Sequence, residues 1–147
     1  MSIVVVDASV IVKWYVIEDY RDQALALRDD YINGVFKLAA PALMPFEVIN
    51  AIRYSRKDIS PATLKAIMES LVKYGFKLYE LKDEYADLTI DTALENNITI
   101  YDASYVALAA YLNTTLYTAD QKLIENLNEK HRKIVRHIKN YEQKKLI

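Results

Sequence analysis

Three short runs of strand-forming residues lead into aspartates, and each aspartate stands before a segment with helical spacing. Ile3–Val6 precedes Asp7, Ile98–Tyr101 precedes Asp102, and Leu116–Tyr117 lies just before Asp120. This pattern limits the possible folds more than any other feature. A continuous β-branched run such as Ile3–Val6 marks a strand covered on both faces. Strands of that kind alternating with helices build an open parallel sheet whose carboxyl ends share one edge. Three carboxylates at three such ends are carried to the same edge.

The rest of the chain completes the alternation. Helices are expected at Ala8–Val16 and from about Tyr20 to Ile32, then a strand at Phe36–Ala40 and a helix entered through Pro45 and running to Arg56. Ser60-Pro61 supplies a cap and an N1 proline for the next helix, in which Leu64, Ile67, Met68, Leu71 and Val72 form one apolar stripe. Lys77–Leu81 reads as a strand, and Ala86, Ile90, Ala93 and Leu94 as a helix ending at Asn96-Asn97. A small-residue helix at Ala103–Leu112, a strand at Thr115–Thr118, a helix from Gln121 to about Asn128 and an extended piece near Ile134–Arg136 follow. The expected fold is α/β: a three-layer α/β/α sandwich with a central, mostly parallel sheet of about five strands. The 147 residues, with 52% hydrophobic and 27% charged, suit one domain spanning 1–147 with a filled core.

Other features narrow the chemistry. Cysteine is absent, which rules out thiolate metal sites and fits a cytoplasmic protein. The first apolar run is too short for a signal peptide or membrane span, so no membrane association is expected. Net charge is −1, yet Lys130, Arg132, Lys133, Arg136, Lys139, Lys144 and Lys145 face a single acid, Glu142, in a basic C-terminal extension from about residue 130. That end either attracts phosphates or is a solvated face.

An aspartate at a strand-to-helix junction is commonly an N-cap, and three of them could be three caps. Glu47 separates the readings. It lies among apolar residues in Leu-Met-Pro-Phe-Glu-Val-Ile-Asn-Ala-Ile, with no basic residue between Lys37 and Arg53. A buried carboxylate without a partner costs several kcal/mol, so it neutralises or finds a cation. Asn50, one turn on, shares its face; a distant partner or a solvent-facing Glu47 is the plainer alternative. Oxygen ligands without Cys or His suit Mg²⁺ or Mn²⁺. His131 and His137 lie far from these motifs in sequence, so no histidine-based site is expected. The hydroxyls of Ser9 and Thr118 either support a carboxylate or make local caps. Lys13 either faces the pocket as a phosphate contact or is simply solvated.

Four segments then resemble the acidic motifs of PIN-domain nucleases, in order and spacing: Val5-Val6-Asp7-Ala8-Ser9-Val10, Pro45-Phe46-Glu47-Val48-Ile49-Asn50-Ala51, Tyr101-Asp102-Ala103-Ser104-Tyr105-Val106-Ala107-Leu108-Ala109 and Leu116-Tyr117-Thr118-Ala119-Asp120. The likeness is strongest to VapC-type toxins of toxin–antitoxin pairs. It implies a divalent-metal endoribonuclease, an RNA substrate, a cognate antitoxin whose C-terminal segment crosses the acidic pocket, and a homodimer. Asp7, Asp102 and Asp120 are the expected ligands of Mg²⁺ or Mn²⁺, with Glu47 placing the attacking water or removing its proton. Ser9, Asn50 and Thr118 would support them. Arg53 and Arg56, with Lys57 and the basic tail, would bring in the RNA backbone. One rival is an aspartyl phosphatase or phosphoacceptor, whose phosphatase pattern prefers a second Asp where Ser9 stands. Another is a non-catalytic binding module that docks a partner's arginines.

Overall fold

A computed structural model describes residues 2–144. Its strands are β1 (Ile3–Val6), β2 (Lys37–Pro41), β3 (Lys77–Tyr79), β4 (Leu116–Thr118) and β5 (Val135–His137), and all four pairings are parallel in the order β3-β2-β1-β4-β5. The helices are α1 (Ala8–Ile11), extended by a 3₁₀ turn at Val12–Trp14, α2 (Arg21–Ile32), α3 (Met44–Ser55), α4 (Pro61–Lys73), α5 (Asp83–Asn96), α6 (Ile100–Tyr111), α7 (Gln121–Asn126) and α8 (Glu129–Arg132). The expected α/β sandwich is therefore observed.

Right-handed crossovers explain the layering. The steps β1→β2→β3 move one way along the sheet and carry α2, α3 and α4 on one face. The steps β3→β4→β5 move the other way and carry α5 to α8 on the opposite face. The order reverses between β1 and β4, so the crevice of this open sheet lies at their carboxyl ends. β1 holds the centre because Val5 and Val6 are fully buried, as are Ala39 and Ala40 of β2 and Leu116 of β4. Against these strands packs α6, buried from Ala103 through Ala109; its three alanines in that region allow a close approach to the sheet.

Local chemistry sets the helix ends. Ser60 accepts a hydrogen bond from Thr63 N at 3.1 Å, with Pro61 at the first helical position, and α5 stops at Asn97 in the left-handed region with φ 50°. One expected strand does not form. Ile98–Tyr101 is not a strand; Thr99 caps α6 through its hydroxyl, which accepts from Asp102 N at 3.0 Å. The threonine cap overrides the β propensity of this run, and β1 pairs directly with β4, leaving no place for a strand between them. The fifth strand is instead Val135–His137, next to the extended piece expected at Ile134–Arg136. Among the described residues no helix is long and apolar enough to cross a membrane. Lys145 of the basic run lies outside the described residues.

Candidate active site

Asp7 ends β1 at the switch point, in the N-cap position of α1 but without a capping bond. Its Oδ2 instead accepts hydrogen bonds from Ser9 Oγ at 2.6 Å and Thr118 Oγ1 at 2.8 Å. Ser9 Oγ also accepts from Ala119 N at 3.0 Å, and Thr118 Oγ1 accepts from Asp120 N at 3.0 Å. The two hydroxyls thus tie the ends of β1 and β4 together and hold Asp7 with one oxygen uncommitted. The Ser9 and Thr118 side chains serve the carboxylate directly.

Asp120 does act as a cap: its Oδ1 accepts from Leu123 N at 3.0 Å, which leaves Oδ2 free of that duty. Asp102 does not follow a strand. It sits in the first turn of α6, where the helix dipole favours a negative charge. The expectation of three equivalent strand ends therefore fails for Asp102, although the residue still arrives at the same crevice.

Glu47 reaches the crevice from the first turn of α3, which follows β2. Its Oε1 accepts from the hydroxyl of Tyr105 at 2.6 Å. Asn50 is exposed and is not the residue that holds Glu47. Tyr105, only 2% exposed, lies one turn after Asp102 on α6 and so links Glu47 to the helix that carries Asp102. Sequence reading passed over it. A tyrosine three positions from an acid on the same helix face was the available signal.

Electrostatics bind the four carboxylates into one group. Burial raises the Asp7 carboxyl above its ordinary range, partly offset by the hydroxyls of Ser9 and Thr118, and the charges of Asp102 and Asp120 push it further. Burial also raises Glu47, eased by the Tyr105 bond and increased by Asp7 and Asp102. Asp102 is raised by burial and then by Asp120. Asp7 feels Asp102 and Asp120, and Glu47 feels Asp7 and Asp102, so the carboxylates are neighbours around the crevice. Burial and the charges of Asp7 and Glu47 hold the Tyr105 phenol far above its usual range, so it keeps its proton and donates it in the bond to Glu47.

The donor set is made of oxygens, negatively charged and lacking a cation: the ion pairs among the described residues are Lys13–Glu18, Arg28–Asp29, Arg56–Asp58 and Lys82–Glu80. That chemistry fits a hard divalent cation. Among the described residues no three acidic or histidine side chains already converge tightly enough to enclose an ion.

The remaining candidates fall outside the pocket or on its rim. Lys13 is buried rather than solvated, and its Nζ bonds Glu18 at 3.0 Å. Arg53 lines an apolar groove beside Glu47, stacked on the Tyr54 ring at 4.7 Å, and Arg56 pairs with Asp58 on the surface. His137 lies closer to the site than its sequence position suggests, whereas His131 bonds Asn96 and Asn128. His137 stands opposite Thr118 in the β4–β5 register, and burial lowers its imidazole pKa, with Lys139 adding to the effect.

Comparison with known proteins decides the family. A family model described as PIN domain matches residues 4–130. The chain belongs to the PIN domain family. It is 32% identical over 126 residues to Ribonuclease VapC3 of Pyrobaculum aerophilum, covering 82% of this chain and 92% of that one. Its fold is similar to the crystal structure of PAE2754 from Pyrobaculum aerophilum, with a TM-score of 0.63, 25% identity, and coverage of 93% of this chain and 84% of that one. It also resembles the structure of FitAB bound to IR36 DNA fragment, with a TM-score of 0.63 and coverage of 95% and 97%; at 16% identity that likeness concerns the fold alone.

Proposed function

We propose that this PIN-domain chain is a divalent-metal-dependent endoribonuclease that hydrolyses RNA phosphodiester bonds. One observation carries the reading: Asp7, Glu47, Asp102 and Asp120 lie about the β1/β4 switch point, near enough that charge on one raises the proton affinity of another, and the ion pairs among the described residues involve none of them. The relative named Ribonuclease VapC3 supports RNA as the substrate.

Asp7, Asp102 and Asp120 are the residues that would hold Mg²⁺ or Mn²⁺. Such an ion, when bound, neutralises phosphate charge and makes a water acidic enough to attack at neutral pH. The protein's own groups prepare the site for it. Ser9 and Thr118 fix one oxygen of Asp7 and aim the other outward, so little reorganisation is needed on binding. Tyr105 holds Glu47 by one oxygen, and its second oxygen is placed to orient the attacking water or accept its proton. Burial and neighbouring charges raise Glu47, which brings its proton affinity closer to that of a useful base.

The VapC likeness extends the proposal to a cytoplasmic toxin of a type II toxin–antitoxin pair, acting as a homodimer and restrained by a cognate antitoxin. A short reading frame overlapping this one upstream would supply that partner. The decisive experiment is cleavage of total cellular RNA with Mg²⁺ or Mn²⁺, with mapped cut sites. Wild type should cut, while Asp102→Asn and wild type in EDTA should not. Equal cutting by Asp102→Asn would overturn the reading.

A further inference from the structure

The acidic crevice repels RNA, so some other part of the surface has to hold the backbone. A second cavity, of about 620 Å³, opens beside it on the β5 flank. Gln121, Arg136, His137, Lys139, Glu142 and Lys144 line it, giving three fixed positive charges against one carboxylate. Arg136, Lys139 and Lys144 are exposed, and the ion pairs among the described residues lie elsewhere. By contrast, the groove over α3 carries a single cation, Arg53.

The basic cavity adjoins the acidic centre. Gln121 follows Asp120 directly, and His137 is paired in register with Thr118, whose hydroxyl holds Asp7. The cavity is also built rather than frayed. Asp30 of α2, 1% exposed, accepts hydrogen bonds from the Tyr141 hydroxyl and, at 2.8 Å, from Lys144 N. This strap ties the segment after β5 to α2 and so positions the backbone that carries the cations. Most of the lining, from Arg136 onward, lies beyond residues 4–130 that match the family model.

We propose that this cleft between α7 and the strapped segment binds the phosphodiester backbone of the RNA that enters the acidic centre. The proposal rests on the ribonuclease reading above. Arg136, Lys139 and Lys144 contact successive phosphates, and Gln121 receives the strand where it passes Asp120. Sequence preference is not set here, because phosphate contacts position a strand without reading its bases.

The test is fluorescence anisotropy with a labelled single-stranded 20-nucleotide RNA of mixed sequence across a series of KCl concentrations. All proteins carry Asp102→Asn so that the strand stays intact. Replacing Arg136, Lys139 and Lys144 together by Gln should lower the slope of log K against log salt by about 2, at roughly 0.7 per lost contact on a single strand. At about 0.15 M salt this corresponds to roughly 50-fold weaker binding. Melting temperature should not change, since all three residues are exposed. Glu142→Gln, which removes the one opposing carboxylate, should tighten binding; unchanged or weaker binding counts against the cleft. Charge removal at Lys65, Lys73 and Lys77, towards the opposite edge of the sheet, should leave the slope near that of the parent. An equal loss there would reduce the effect to net charge and overturn the proposal, as would a parent protein that binds no RNA. If wild type cleaves RNA but the triple variant keeps the parental slope, the cleft proposal falls alone. If wild type cleaves none while the triple variant loses the slope, the ribonuclease reading falls and the cleft stands.

Discussion

Replacing Tyr105 by phenylalanine removes one oxygen from the interior and leaves the ring packing in place. The lost group donates to Glu47 Oε1 at 2.6 Å. A hydrogen bond to a charged acceptor is worth about 1.5–3 kcal/mol, and the partial solvent access of Glu47 places this one near the lower figure. For 147 residues, unfolding entropy at about 2.1 cal/mol/K per residue is roughly 0.3 kcal/mol/K, so about 1.5 kcal/mol lowers Tm by about 5 °C. The loss should depend on pH. The bond favours ionised Glu47 and pulls down a carboxyl that burial has raised. Its contribution is therefore present above the pKa of Glu47 and disappears as pH falls through it. Thermal melts of metal-free wild type and Tyr105→Phe, followed by circular dichroism, should differ by about 5 °C near pH 8 and converge toward pH 4. The acid limb of the cleavage profile should move to higher pH, since Glu47 holds its proton more tightly without the donor. A difference that is the same at pH 8 and pH 4 would trace the loss to packing and refute the argument. So would a difference under about 1 °C at pH 8.

Asp102→Asn should abolish cleavage yet raise the Tm of the metal-free protein at neutral pH. The folded-state pKa of Asp102 is raised by burial and Asp120, so its contribution is complete below the ordinary Asp value and lost as pH rises through the raised one. The gain from Asn should accordingly vanish in melts near pH 4. Mn²⁺ at about 100 times its Kd should stabilise wild type by about 2.7 kcal/mol, some 8 °C, and Asp102→Asn far less by calorimetry. Ser9→Ala leaves Ala119 N and Asp7 each short of a partner; titration should show metal affinity reduced about 10–100-fold. Asp30→Ala frees the Tyr141 hydroxyl and Lys144 N, and should cost about 2–4 kcal/mol in urea unfolding.

The sheet was legible because its central strands are β-branched or apolar on both faces, a requirement of parallel pairing that few other segments meet. The capped helices were legible for an equally local reason: Ser60-Pro61 and Asn97 carry their conformations in their own side chains. Ile98–Tyr101 misled because β-branched residues are ambiguous in short runs, and the deciding fact, the Thr99 hydroxyl on Asp102 N, is a bond of three residues' reach. The acidic residues were readable from their positions before helices, and Glu47 from the absence of a nearby cation. Their partners were not. Tyr105 reaches Glu47 across 58 positions, and His137 comes to lie beside Thr118 only through strand register. No local pattern records such pairings.

The bond between Thr118 and Asp7 spans 111 positions of chain. A growing polypeptide that has released β1 through α6 already contains Asp7, Glu47 and Asp102, but β1 still has one bare side and Asp7 has no Thr118 to hold it. Only when the segment through Thr118 has left the ribosome does β4 close against β1 and complete the crevice. The crevice thus stays incomplete for most of the chain's synthesis, and chains cut short before that point lack both Thr118 and Asp120.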